Sequence, residues 1–175
     1  MTQHDRPVTT THEPSAGNDF LTPHIKLLCA SYRRWTGRDL VAPGTSPQDR
    51  ARAIWQSPMV IASHGIEADP VFNYANRAAL RLWKMDWTTF TRLPSRYSAE
   101  PVAREERERL LMAVTTHGYI DDYSGVRIAS DGSRFRIERA TVWNVVDTDN
   151  TYRGQAVVFG HWELLQNTAT SPATP

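Results

Sequence analysis

The stretch Pro58–Phe90, PMVIASHGIEADPVFNYANRAALRLWKMDWTTF, decides how the rest of the chain is read. Met59 to Ala62 is a compact apolar run between Pro58 and Ser63-His64-Gly65, the pattern of a short buried strand. Glu67-Ala68-Asp69-Pro70 reads as a turn and Val71 to Tyr74 as the returning strand, a hairpin with a loop of several residues. Asn76 stands where a helix N-cap is wanted, because its amide oxygen can accept a free backbone N–H of the first turn. The helix it opens runs to about Trp83, with Ala79, Leu80 and Trp83 facing inward. Asp86 caps one more turn, anchored by Trp87 and Phe90, and Pro94 stops it.

Downstream, Ser98 is placed to cap a long helix that ends at His117, with Gly118 as its terminator. Glu105 with Arg109 and Arg104 with Glu108 pair at four-residue spacing on the exposed side, and Leu110, Leu111 and Val114 supply the buried one. The remainder is strand-like. Tyr119–Ser130 leads into the hairpin turn Asp131-Gly132. Ser133–Val146 alternates, with Phe135, Ile137, Thr141, Trp143 and Val145 on one face and Arg134, Arg136 and Glu138 on the other. A turn over 147–150 precedes a last strand, Tyr152–Trp162. The sum is an α+β domain: five antiparallel strands, with helices between the second and third.

Upstream, Thr22-Pro23 reads as an N-cap followed by proline in the first helical turn. Leu21, Ile25, Leu28, Tyr32 and Trp35 recur at helical spacing, and Gly37 can end the helix. This apolar stripe packs on the domain's own core or on a second copy, so a homodimer through the 23–36 helix is one expectation. VAPGTS is a linker, and Ser46-Pro47 opens a shorter helix with Ala51, Ile54 and Trp55 inward. The polar, Thr- and Pro-rich residues 1–17 and the last ten, 166–175, read as disordered tails around one domain, 18–165.

Composition limits the function classes. Hydrophobic residues are 40% and charged residues 22% of 175, enough to bury a core without disulfides or metal. Net charge is +1, which gives no global reason to expect a nucleic-acid partner. Arg134, Arg136 and Arg139, with Arg127 nearby, read as a solvated sheet face interrupted by Glu138. One cysteine, Cys29, excludes an internal bridge. No apolar run reaches membrane-spanning length and the N-terminus lacks a signal-peptide core, so the expectation is a soluble, cytoplasmic protein without a membrane partner.

The strand and helix order resembles a PAS domain, a five-stranded antiparallel sheet whose helices cover one face and enclose a pocket. Val71-Phe72-Asn73-Tyr74-Ala75-Asn76-Arg77-Ala78-Ala79 is similar to the PAS strand that feeds an N-x-A-A helix, and Asp131-Gly132 to its DG hairpin. A longer set of words resembles the MEKHLA domain family: SYRRWTGRDL, SHGIEADPVFNYANRAALRLW, MDWTTFTRLPSRYSAEP, REERERLL, HGYIDDYSGVRI and RFRIERATVWNV, across roughly Leu27 to Leu165. MEKHLA domains are regarded as PAS-like. They occur as stand-alone bacterial proteins and at the C-terminus of plant class III homeodomain-leucine-zipper factors. There they are linked to regulation of dimerisation and to an unidentified cue. The chain carries no sustained heptads and no basic arm, so the resemblance implies a stand-alone bacterial type of module without the transcriptional role. It implies a sensory or interaction function and transfers no catalytic set.

Aromatic residues are the main candidates for a ligand pocket. Asn73, Tyr74, Asn76, Trp83, Tyr123, Phe135 and Trp143 are the residues expected to line it, with a filled core as the alternative. His64, Glu67 and Asp69 offer a nitrogen and two carboxylates within six residues, although a strand-ending His and an acidic turn explain them without a metal. A Ser63-His64-Asp69 triad is disfavoured because neighbours in a strand point to opposite faces. His117 with Asp121 and Asp122 reads as a helix-terminal His beside acids rather than a haem ligand. Cys29 precedes the sheet, which argues against a flavin adduct there. No cofactor is assigned. The enzymatic alternative is a small isomerase or hydratase built on His64, Asp69 or Asp121.

Overall fold

Each helix must satisfy the free N–H groups of its first turn. A computed structural model describes residues 12–42 and 46–166, in which some helices have a side-chain cap and others have none. The first helix, α1 (Thr22–Thr36), departs from expectation. Its N-cap is Leu21, in the left-handed region at φ 58, and Thr22 is the first helical residue, its Oγ1 donating to Asp19 O at 2.5 Å. Asp19 and Phe20 are also left-handed, at φ 49 and 51, within a 3-10 segment, Ala16–Leu21. This segment begins inside the stretch read as a tail, and Pro14 before it is buried. Residues 1–11 and 167–175 of the expected tails, and 43–45 of the linker, lie outside the described residues. Gly37, at φ 71, ends α1 as expected.

Ser46 Oγ accepts from Asp49 N at 3.1 Å and opens α2 (Pro47–Gln56). The hairpin is β1 (Val60–His64) and β2 (Phe72–Ala75). Asn76 Oδ1 accepts from Ala79 N at 3.0 Å to cap α3 (Arg77–Trp83), and Asp86 Oδ1 accepts from Thr89 N at 2.7 Å to cap α4 (Trp87–Phe90). Ser98 is not the next cap. It closes a 3-10 turn, Ser95–Ser98, by donating to Ser95 O at 2.7 Å, and α5 (Pro101–His117) starts after Glu100 with proline in its first turn. Gly118, at φ 95, terminates it, and a Cβ there would collide with the Trp35 ring.

The meander follows as β3 (Tyr119–Ile128), β4 (Arg134–Val146) and β5 (Tyr152–Phe159). Strand order is β2-β1-β5-β4-β3, with each neighbouring pair antiparallel. The last strand of the sequence reading breaks at Gly160, and its continuation, β6 (His161–Leu165), pairs with the first half of β4. The α+β, PAS-like five-stranded sheet is therefore present, with β6 as an extension. Helices α3, α4 and α5 cover one face, called inner here. The N-terminal α1 lies on the outer face, where Tyr32 packs edge-on against Trp143 at 4.9 Å and Ser31 Oγ donates to Val146 O at 2.8 Å.

Two one-residue bulges decide which side chains face which helix. In β2, Tyr74 opposes Ser63 but Phe72 opposes His64, so one extra residue, Asn73, separates them and they point to opposite faces. In β4, Ala140 opposes Tyr123 while Ile137 opposes Gly125, again one residue too many, and Arg139 sits there at φ 49. Beyond it the alternation is inverted. Phe135 and Ile137 face inward, but Trp143 and Val145 face α1, and Val142 and Asn144 take the inner side. The single alternating face expected from Phe135 to Val145 is thus two half-faces. The inner core centres on Trp83, whose ring meets Phe90, Phe135 and Phe159 at 5.7, 5.1 and 6.3 Å.

Candidate functional site

A cavity of about 60 Å³ lies between α5 and the inner face of the sheet. Its apolar wall comes from Leu110 and Leu111 of α5, Ile137 and Val142 of β4, Val157 of β5 and Phe72 of β2. Its polar wall is cationic. His64 of β1, Arg107 of α5 and Arg127 of β3 are each more than nine-tenths buried and line it, with Tyr123, Gln155 and Ser98.

Local sequence explains how each gets there. Tyr123, Gly125 and Arg127 alternate along β3 and share one face. Gly125 is the gap: a Cβ there would meet the Tyr123 hydroxyl. Tyr123 thereby reaches Arg127, whose Nη2 donates to its hydroxyl while Nη1 donates to Val126 O at 2.9 Å. The guanidinium also lies 5.3 Å from the Tyr123 ring centroid. Arg107 sits on the same helical stripe as Leu111 and Val114, so α5 carries it inward with its apolar residues. Its Nη2 donates to Ser95 Oγ at 2.7 Å. Among the described residues neither arginine forms an ion pair with a carboxylate. Burial, reinforced by the neighbouring Arg127 charge, pulls the Arg107 guanidinium down to about 10. Tyr123, Glu108 and Asp69 oppose that shift.

His64 Nδ1 donates to Gly65 O at 2.9 Å, which fixes the tautomer and leaves Nε2 as the bare nitrogen. Nε2 is buried without a hydrogen-bond partner. Burial keeps this imidazole below its ordinary titration range, and Arg107 adds to the effect. Gln155, opposite His64 in the ladder, directs its Nε2 to Leu111 O at 2.9 Å, Thr115 Oγ1 at 3.0 Å and Asn144 Oδ1 at 3.2 Å, and its side chain favours the protonated His64 ring.

Of the seven pocket residues read from the sequence, Tyr123 and Trp83 line the cavity. Phe135 is packed against Trp83 in the core beside it. Trp143 and Tyr74 are on the other side of the sheet, because the bulges at Arg139 and Asn73 turn them outward. Asn73 also lies on that side, where Ser63 Oγ donates to its Oδ1 at 2.6 Å. Asn76 is fully buried and saturated: Oδ1 accepts from Ile61 N and Ala79 N, and Nδ2 donates to Met59 O at 2.7 Å and Ile54 O at 3.1 Å. It is a structural joint.

The weighed metal set does not converge. Asp69 pairs with Arg96 at 3.0 Å, Glu67 Oε2 accepts from Val71 N at 3.3 Å, and no metal-binding group of three acids, His or Cys forms among the described residues. Asp121 is outside the cavity, bound to Arg38 at 2.7 Å and to Thr141 Oγ1, and these contacts hold its carboxyl below the usual range. Of the catalytic candidates only His64 reaches the cavity. Cys29 is on α1, across the sheet, and burial pushes its thiol up to about 11. The expected basic stripe also divides: Arg127 turns inward, while Arg134 pairs with Glu100 at 2.7 Å. The sequence reading passed over Arg107 altogether, although an arginine on the Leu111–Val114 stripe was its visible sign.

Strand order and helix placement together define a domain of the PAS fold. The chain belongs to the MEKHLA domain family, whose model matches residues 22–164. Relatives are homeobox-leucine zipper proteins: HOX32 of Oryza sativa subsp. indica is 29% identical over 140 residues, 77% of this chain. ATHB-15 of Arabidopsis thaliana is 24% identical over 143 residues, 79% of this chain. The chain spans only about a sixth of these relatives, 16% and 17%. Among solved structures it is similar to a PAS domain from Colwellia psychrerythraea, with TM-score 0.54 and 16% identity over 63% of this chain and 92% of that one. The photo-excited blue-light photoreceptor Vivid matches at TM-score 0.52 and 13% identity over 87% and 98%. No helix of the described residues is long and apolar enough to cross a membrane.

Proposed function

We propose that the chain is a non-enzymatic sensory or interaction module that binds a small molecule in the cavity beneath α5. The observation that carries this is the orphaned His64 Nε2 beside two buried arginines in a space no side chain fills. Buried polar groups without partners are costly and mark places where something else supplies the partner. The apolar wall with a few fixed polar groups is the ordinary composition of a ligand pocket.

Signal transmission would be a population shift, in which the ligand favours whichever arrangement of α5 and the sheet it binds better. The stripe of α1 is directed into the domain's own core, with Ile25 and Leu28 buried, so contacts with a second copy would use the helix's polar face, including Lys26, Arg33 and Arg34. The isomerase or hydratase alternative has less support, because His64 faces the cavity while Asp69 and Asp121 are paired with arginines outside it.

Native mass spectrometry of the purified chain, followed by thermal shifts across a metabolite library, tests the reading. A retained small molecule, or a shift from a compound that protects α5 from hydrogen exchange, supports it. Absence of both refutes it.

A further inference from the structure

We propose that this cavity is a carboxylate site: Arg107 and Arg127 hold the head group of a three- or four-carbon organic acid whose aliphatic tail lies against Leu110, Leu111, Ile137 and Val142. The inference rests on the ligand-binding reading above and names the ligand's chemistry.

Three observations converge. First, two guanidiniums line one small cavity from different elements, α5 and β3, and no carboxylate among the described residues pairs with either. Two like charges in a low-dielectric space repel, and an anion between them removes that cost. The nearest carboxylates are engaged elsewhere or act at a distance: Asp69 is held by Arg96, and Glu108 affects Arg107 only through its charge. An arginine fork matches a carboxylate in shape as well as charge.

Second, volume limits the ligand. A water needs about 10–15 Å³ of such space, so a cavity of about 60 Å³ holds about four to six heavy atoms. Propionate has five and butyrate six. Inorganic phosphate also fits by count, but the aliphatic wall gives its oxygens nothing to bond.

Third, His64 gives the site a proton link. Its Nδ1–H is held on Gly65 O, so a neutral ring offers only a lone pair at Nε2. A carboxylate beside it is accommodated when Nε2 gains a proton and donates to it. Burial and Arg107 from α5 disfavour the charged ring, while Gly65 O, Glu67 from the β1–β2 loop and the Gln155 side chain from β5 favour it, and a carboxylate beside Nε2 joins the second set. Binding therefore takes up a proton and strengthens as pH falls.

The test is calorimetric titration of the full chain with sodium butyrate, butyramide, 1-butanol and sodium phosphate at pH 6, 7 and 8. Butyrate is expected to bind at least tenfold more tightly than butyramide, and more tightly at pH 6 than at pH 8. R107Q and R127Q should each weaken butyrate at least tenfold and leave butanol within about twofold. The comparison of acid with amide uses only the unaltered protein, so it holds even where a variant fails to fold. Equal binding of butyrate and butyramide, tighter binding of phosphate, or an affinity that rises with pH would overturn the proposal. If butanol binds and butyrate does not, the ligand-binding module stands and the carboxylate site falls. If no compound binds, and the metabolite library above also gives nothing, both fall.

Discussion

Gln155 Nε2 donates to Asn144 Oδ1 at 3.2 Å across the β4–β5 ladder, and the two side chains together hold α5 to the sheet. Asn144 Nδ2 donates to Val114 O at 2.9 Å, while Gln155 reaches Leu111 O at 2.9 Å. The backbone of Asn144 continues the connection, accepting from Trp35 Nε1 at 2.8 Å and donating to Gly118 O at 2.8 Å. One residue thus joins α1, α5 and β4. Asn144→Leu should lower stability by about 2–4 kcal/mol, since it leaves the Gln155 amide and helix carbonyls without their buried partner. Urea denaturation reads this directly, and a change below about 0.5 kcal/mol would count against the assigned role.

Asn76 gives the second expectation. Its side chain caps α3 and also bonds Ile61, Met59 and Ile54, so Asn76→Ala should cost more than an exposed cap, about 3 kcal/mol or more. An aspartate keeps both acceptor bonds and loses the donors. N76D, which sets a carboxylate oxygen against Met59 O and Ile54 O in a fully buried site, should cost at least as much as N76A in the same urea series.

The third concerns acid. His24 donates from Nε2 to Ser63 Oγ at 3.0 Å and lies 5.5 Å from the Tyr74 ring, where burial lowers it from 6.5 to about 4. Below about pH 6.5 the unfolded chain takes up a proton that folded His24 refuses until about 4. The stabilisation is full above the upper limit and is lost as pH falls through that window, up to about 3 kcal/mol. His64 shifts in the same direction. Urea midpoints should therefore drop between pH 7.5 and 5, and H24Q, whose amide can still donate to Ser63, should flatten that slope.

Arg139 supplies a stabilising test. Its φ of 49 at the β4 bulge is a conformation that costs a side-chain-bearing residue about 1 kcal/mol and glycine little. Arg139→Gly should raise the melting temperature by a few degrees. A fall would mean that the arginine side chain contributes more than its backbone strain.

These residues also mark how far the sequence could be read. Ser46, Asn76, Asp86, Gly37 and Gly118 were legible because a cap is decided within four residues of itself. The β1–β2 hairpin and the β3–β4–β5 meander followed from the turns between their strands, whereas the β1–β5 pairing that joins them has no turn to announce it. The bulges at Asn73 and Arg139 were not legible, since an extra residue in a ladder exists only relative to the partner strand. Tyr74 and Trp143 were therefore assigned to the wrong side of the sheet. Tyr123 and Trp83 line the cavity, Tyr123 although its strand pairing shifts register on both sides of it and Trp83 from the end of α3. Arg107 and Arg127 were missed as site residues because a charged side chain is ordinarily read as solvent-facing, and only the assembled cavity shows otherwise.

The β4 bulge carries a consequence for comparing relatives. Deleting Arg139 would remove the bulge and restore simple alternation while Ala140, Val142 and Asn144 keep the inner side and Trp143 keeps α1, because each retains its partner in β3 or β5. A gapless alignment of two family members that differ there would equate Trp143 of one with a cavity-lining residue of the other. An insertion or deletion in this short segment thus shifts the numbering of the faces and leaves the positions that meet the cavity and α1 in place.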